Sequence, residues 1–470
     1  VSSKITDDII KHLNDIFSQQ QILLEAADCW PYGYDNSKQH HPPDAVVLPN
    51  THEQVVECVK LCNQYKIPLT TRGRGTGTTG ASVPIMGGVV LSMERMDKII
   101  AFNPGNRSVR VETGITNLTL QNFLQGKKFF WPPDPSSAEF CTIGGNLACN
   151  AAGPRAVKYG TTRDNTLQLK AVTGAGKTIS TGSKTTKGVV GLDLTRLLIG
   201  SEGTLAIITE AELKILPLAP ATHTIRALFH DHQSACSAIQ NISSQLHTPC
   251  AIEFIDHHAL NLIRQHSDVL LPSNANAMLM IEIDGDEESL PISSHHIQHA
   301  LTPLDCVEIK LAESDTERKM LWQARKALSP ILRNLAPNKI NEDIVVPVPS
   351  LSKLIDELDR LSQTYKLPIV NFGHAGNGNI HVNIMYDASD TTQNNNALSC
   401  LEKIFEITLQ LEGTISGEHG IGLSKRDFVD KEIGSNELAL MHSIKYQFDP
   451  NNILNPNKSL PIPGSHSPKT

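Results

Sequence analysis

Between residues 71 and 80 the chain reads Thr-Arg-Gly-Arg-Gly-Thr-Gly-Thr-Thr-Gly, directly after the short run Pro68-Leu69-Thr70. Glycine frees the backbone at a cost in order, so neither a packed helix nor a central strand tolerates it at such density. The run therefore reads as a loop leaving a strand. Its amides lie open to close approach, as in an anion nest suited to a pyrophosphate. A second small-residue segment, Thr142-Ile143-Gly144-Gly145-Asn146 through Gly153, lets a helix start close against a flat ligand. Each alone reads equally as a plain turn, whereas two in one stretch favour a dinucleotide.

Residues 1–27 read as a helical lead-in and the proline-rich stretch 31–49 as extended loop. Thr51 caps a helix predicted to run to about Tyr65. Short β-rich runs such as 87–92 and 108–112 alternate with glycine turns as far as Pro217, which predicts an α+β domain. From Thr222 the pattern changes. Strand candidates at 277–283 and 306–310 separated by helices at 231–245, 313–329 and 350–365 predict a second, α/β layer domain. Residues 420–458 form a short C-terminal piece, with a loose tail after Pro461. Gly174-Ala175-Gly176-Lys177-Thr178 imitates a phosphate-binding P-loop, but the glycine required five residues before Gly176 is Ala171. The segment reads as a hairpin turn, and ATP hydrolysis is rejected.

A net charge of −8 and no run of Lys or Arg interleaved with aromatics argue against a nucleic-acid partner. The cysteines are odd in number and scattered, with no CxxC pair, which favours reduced thiols in a cytoplasmic setting. No apolar run reaches 18 residues, so no membrane span is expected. Peripheral attachment to a membrane stays open, as does the mitochondrial matrix if a presequence was removed.

Two histidines in Gly373-His374-Ala375-Gly376-Asn377-Gly378-Asn379-Ile380-His381, together with the later pair Glu418-His419, suit a divalent ion with a base beside it. The alternation in Ile380–Ile384 reads as a strand, placing His381 and Asn383 on one face. Glu418 and His419 sit in a turn between Gly417 and Gly420. Polar loop residues satisfied by backbone and water would explain either half alone. The histidine pairs at 40, 257 and 295 lack such context and read as surface residues.

Five strings in order, TRGRGTGTTG at 71, CTIGGNLACNAAGPRAVKYGTTRDN at 141, IGSEGTLAIITEAELKILP at 199, GHAGNGNIH at 373 and GEHGIG at 417, resemble the flavin-linked oxidoreductases of the vanillyl-alcohol oxidase and p-cresol methylhydroxylase superfamily. The likeness is to the branch of flavin-linked D-2-hydroxyacid dehydrogenases, which includes D-lactate and D-2-hydroxyglutarate dehydrogenases and the flavin subunit of glycolate oxidase. It implies an α+β fold with a two-part FAD-binding domain of the p-cresol methylhydroxylase type and a second α/β substrate (cap) domain. The implied division is a lead-in at 1–43, an FAD-binding domain at 44–218, a cap domain with the metal site at 219–419, and a C-terminal segment at 420–470 returning to the FAD domain.

The resemblance assigns FAD to Arg72, Gly73, Arg74, Gly75, Thr76, Gly77, Gly80, Pro133, Asp134, Pro135, Ser136, Thr142, Gly144, Gly145, Asn150, Gly153, Glu202, Gly203, Ile207 and Asn455. Asn455-Pro456-Asn457-Lys458 carries Asn where the family commonly has glycine. The first loop lacks the histidine of covalent members, which implies noncovalent FAD. His374, His381 and Glu418 would hold a divalent metal, Zn²⁺ or Mn²⁺, with His419 as catalytic base and Arg325 and Asn383 as substrate residues. Asn341 stands where the hydroxyglutarate branch has a lysine; Lys339 is an alternative cation, but the departure weakens the diacid reading, so the implied reaction is oxidation of D-lactate or another monocarboxylate, with D-2-hydroxyglutarate or glycolate as alternatives. Electrons would pass to an external quinone, cytochrome or electron-transferring flavoprotein, and the chain could form a homodimer. Rival readings from other classes are a metal-dependent hydrolase without flavin and a noncatalytic subunit that binds FAD as structure.

Overall fold

The apolar triplet Ala45-Val46-Val47 is wholly buried and pairs in parallel with Val89–Ser92, which pairs in parallel with Leu69–Arg72 on its other side. Parallel strands of one sheet need a crossover, and the helix His52–Tyr65 supplies one between Ala45–Val47 and Leu69–Arg72, which flank Val89–Ser92. Thr51 caps it, its hydroxyl accepting from the Gln54 amide at 3.2 Å. Val55, Cys58, Val59 and Cys62 pack from that helix against Leu69, Val89, Leu91 and Ile207. Ile22–Leu23 adds an antiparallel edge to make four strands.

Two sequence expectations are corrected here. The lead-in helix ends at Ile16 and gives way to the strand Ile22–Leu23. The proline-rich stretch is not all loop, because the buried strand Ala45–Val47 lies inside it. Three residues are too few for periodicity to register.

The computed structural model describes residues 5–302, 304–312 and 314–462, which fall into two units. The expected loose tail lies almost wholly outside the described residues, as does position 313. The first unit comprises residues 5–152, 160–218 and 418–462. Besides the four-stranded sheet it holds a five-stranded antiparallel one in the order Ile99–Asn103, Ser108–Glu112, Ala206–Lys214, Thr166–Thr173, Thr178–Gly182. The last two strands form the expected hairpin, with Gly176 at φ +72° in its turn.

The second unit comprises residues 153–159 and 219–417. Its sheet has seven antiparallel strands in the order Cys306–Leu311, Ala221–Phe229, Ala277–Gly285, Ala251–Ile255, Ile369–His374, Asn379–Tyr386, Asn338–Val345. Helices His257–His266 and Asp315–Ile331 contribute to a core with Leu228, Ile255, Met278, Met280, Val370, Phe372 and Met385. Register sets Glu253 opposite His374 and Asp343 opposite His381. Among the described residues no helix is long and apolar enough to cross a membrane.

Candidate active site

In the first unit the glycine-rich loop opens onto a cleft of about 1390 Å³, open solvent included. Arg72 to Gly77, Pro135, Ser136, Thr142, Gly144, Gly145, Glu202 and Gly203 line it, and so do Glu418 and His419. A Cβ on Gly77 would meet nothing nearer than Asp35 Oδ2 at 4.0 Å, and one on Gly203 nothing nearer than Thr71 Cβ at 3.8 Å. Space is thus reserved in front of both. Among the described residues the amides of Arg74 through Thr78 donate to no protein acceptor, so the loop presents the donors a pyrophosphate requires.

The second glycine segment works differently. The amides that open the helix Ile143–Cys149 are already engaged, Ile143 with the Ile115 carbonyl, Gly144 with the Thr113 carbonyl and Gly145 with the Thr142 hydroxyl. Its small residues permit close contact without anion binding. Gly144 has the Thr113 side chain and carbonyl 3.0 Å from where a Cβ would sit.

Other residues expected at FAD take supporting positions. The Arg72 guanidinium turns to the lead-in, donating to the carbonyls of Tyr34 and Pro31. Gly80 packs against Leu423. Pro133 accepts from Asn117 Nδ2 at 3.2 Å, and neither it nor Asp134 lines the cleft. Asn150 Oδ1 accepts from Thr161 Oγ1 and from the Arg163 amide. Gly153 belongs to the second unit. Ile207 points into the core, and strand alternation turns Ala206 and Ile208 to the cleft instead.

Asn455 donates to the carbonyls of Ala81 and Glu202, and so fixes the backbone beside Gly80 and Gly203. Asn457 adopts φ +62°, the left-handed conformation that glycine favours and that Asn tolerates better than most residues. The Glu202 carboxylate, whose pKa burial raises, accepts from the amides of Ile421 and Gly422 and from Ser459 Oγ. It ties down the turn that follows His419.

In the second unit His374 and His381 stand at right angles, ring centroids 5.1 Å apart, with nitrogens within 4.8 Å of each other. Glu253, buried on the central strand, accepts from His374 Nδ1 at 2.5 Å and from Arg325 Nε at 2.7 Å. Burial alone would raise its pKa, but the charges of His374 and Arg325 outweigh burial and bring it down to about 2. A carboxylate on Nδ1 fixes the tautomer and leaves Nε2 for a metal, the usual support of a ligating histidine. Arg325 also lies over the Phe372 ring at 4.4 Å.

Asp343, the register partner of His381, accepts from the Gly417 amide at 2.9 Å and so anchors the end of this unit. Glu418 follows Gly417 directly, one peptide step of about 3.8 Å further on. Asn383 is fully buried; its Nδ2 donates to the Val370 carbonyl and its Oδ1 accepts from Asn341, so in this arrangement it locks strands together. Glu253 and Asp343 escaped the sequence reading. The available signal was a charge inside an apolar strand, as in Ala251-Ile252-Glu253-Phe254-Ile255.

The cleft suits a dinucleotide, and comparison with known proteins makes the chain an FAD-linked oxidoreductase. The family described as FAD linked oxidases, C-terminal domain, matches residues 218–459 and the FAD binding domain family matches 43–182, and the chain belongs to the FAD-linked oxidases. It is 34% identical to glycolate oxidase subunit GlcD of Bacillus subtilis (strain 168), over 97% of each chain. It is 32% identical to D-2-hydroxyglutarate dehydrogenase of Stutzerimonas stutzeri (strain A1501), over 96% of this chain and 98% of that protein. Identity to D-lactate dehydrogenase of Anaerostipes hadrus is 31%, over 88% and 89%. The fold is also that of p-cresol methylhydroxylase, with a TM-score of 0.78 and 17% identity, covering 98% of each chain.

Proposed function

We propose that the protein oxidises a D-2-hydroxyacid, D-lactate first among them, to the 2-oxoacid. Noncovalent FAD and a divalent ion, Zn²⁺ or Mn²⁺, on His374, His381 and Glu418 complete the site. When bound, the flavin supplies the hydride acceptor and the ion acidifies the substrate hydroxyl. His419 accepts the hydroxyl proton at an imidazole nitrogen. Arg325 holds the substrate carboxylate with a guanidinium whose Nε is fixed by Glu253. The electrons pass to an external acceptor.

The observation that carries this reading is the sharing of one buried carboxylate, Glu253, between His374 and Arg325. A metal-type imidazole and a carboxylate-type guanidinium are thereby held in fixed register. Membership of the FAD-linked oxidases weighs against a flavin-free hydrolase. The Asn341 amide donates to Asn383 Oδ1 at 2.7 Å and offers no cation for a second carboxylate, which favours a monocarboxylate. The test is kcat/KM on D-lactate, D-2-hydroxyglutarate and glycolate. D-lactate should lead, and a preference for the diacid of tenfold or more would reverse the substrate assignment.

A further inference from the structure

At the far end of the strand that carries Glu253, the chain turns through Asp256 into the helix His257–His266. Asp256 is buried, with one oxygen accepting from the Ala259 amide at 2.8 Å and the other from the Asn371 amide at 2.7 Å and Asn371 Nδ2 at 3.0 Å. The helix start is therefore locked to the neighbouring strand Ile369–His374. The next two side chains, His257 and His258, lie with ring centroids 3.9 Å apart at 38°. Asp359, on the helix Leu351–Tyr365, faces them. One nitrogen from each histidine and a carboxylate oxygen of Asp359 lie within 4.8 Å of one another.

These are not the solvated surface histidines that the sequence suggests. All three residues are half-buried. Burial depresses the pKa of both imidazoles, most strongly among the contributions, while Asp359 opposes it. Neutral imidazole is the form that binds metals. Among the described residues no hydrogen bond or ion pair engages His257, His258 or the Asp359 carboxylate. The nearby Asp356 differs, since His232 Nε2 at 2.9 Å and Gln233 Nε2 at 3.0 Å already occupy it. Three uncommitted donors on two anchored helices converge.

We propose that His257, His258 and Asp359 form a second divalent-metal site, separate from the proposed active site and joining two helices of the same unit. Two imidazoles and a carboxylate suit Zn²⁺, with water in the fourth position from the exposed side. Tetrahedral bonds of about 2.0–2.2 Å set the donors about 3.3–3.6 Å apart, so closing by up to about 1.5 Å, shared between the facing side chains, completes the site.

The test uses the full chain with its flavin, equilibrated with a limited excess of Zn²⁺ and freed of loosely held ion before elemental analysis. His258→Ala and Asp359→Asn should each hold one equivalent of zinc fewer than the wild type, with flavin content and turnover unchanged. His381→Ala should keep that equivalent, which separates this site from the proposed catalytic one. Asp359→Asn preserves side-chain shape and decides the matter if His258→Ala folds poorly. Wild-type zinc content in folded Asp359→Asn overturns the proposal.

Discussion

The two oxygens of Glu253 divide between His374 Nδ1 at 2.5 Å and Arg325 Nε at 2.7 Å, so a single buried carboxylate orients the His374 imidazole and the Arg325 guanidinium together. Glu253→Gln keeps the shape but leaves one of these donors without its acceptor. Metal affinity should fall by about 10–100-fold, the usual cost of losing a carboxylate behind a ligating histidine. KM for the acid should rise with it. Arg325→Lys should lower kcat/KM about tenfold or more, because an ammonium cannot reproduce the planar fork. Titrations of metal content and steady-state kinetics check both variants, and unchanged metal affinity in Glu253→Gln would separate Glu253 from the site.

Gly73 and Gly77 should respond differently to the same added methyl group. A Cβ on Gly73 runs into the side chain of Thr142, whereas one on Gly77 enters the open cleft. Gly73→Ala should destabilise the protein by about 1–3 kcal/mol through overpacking. Gly77→Ala should leave the stability of the flavin-free protein unchanged and weaken FAD binding about tenfold or more. Denaturant melts and flavin titration distinguish the two effects.

His419→Ala should slow flavin reduction by about 10²–10⁴-fold, the usual range for loss of a general base, and keep its metal. Glu418→Ala should lose the metal. If the metal contents come out the other way round, the roles of the adjacent pair are exchanged.

Lys458 lies buried beside Asn455, donating to Asn455 Oδ1 and to the Ala81 carbonyl. Burial pushes its ammonium down to about 7 although Asp35 and Glu202 oppose this. The unfolded chain then binds the extra proton between about pH 7 and its ordinary value near 10.4, so this residue makes stability rise with pH across that window. Lys458→Met should remove that part of the rise. Denaturant unfolding of both proteins at pH 7, 8 and 9 measures it, and parallel slopes would contradict the assignment.

What could be read from the chain alone was local. The glycine strings announce themselves because the backbone chemistry they permit is written in consecutive residues, and the His374–His381 string places both rings by the geometry of one strand–turn–strand. Glu253 and His374 lie 121 positions apart and meet only through strand register, which no local pattern encodes. Residues 153–159 lie within a continuous family string yet pack with the second unit, where Tyr159 and Lys158 bind Asp284. Asn457 shows the converse: a departure from the family's glycine preserves the left-handed backbone, since Asn is among the few residues that adopt it readily.

The central claim is that a D-2-hydroxyacid reduces the bound flavin at a metal-dependent site. Anaerobic mixing of the holoprotein with D-lactate or L-lactate, followed by oxidised-flavin absorbance, tests it most directly when repeated after chelation and again after Zn²⁺ or Mn²⁺ is returned. The account predicts rapid bleaching by D-lactate, little by L-lactate, none after chelation with FAD still bound, and recovery with the ion. Equal bleaching by both enantiomers, or full-rate bleaching in protein shown by elemental analysis to be metal-free, would contradict it.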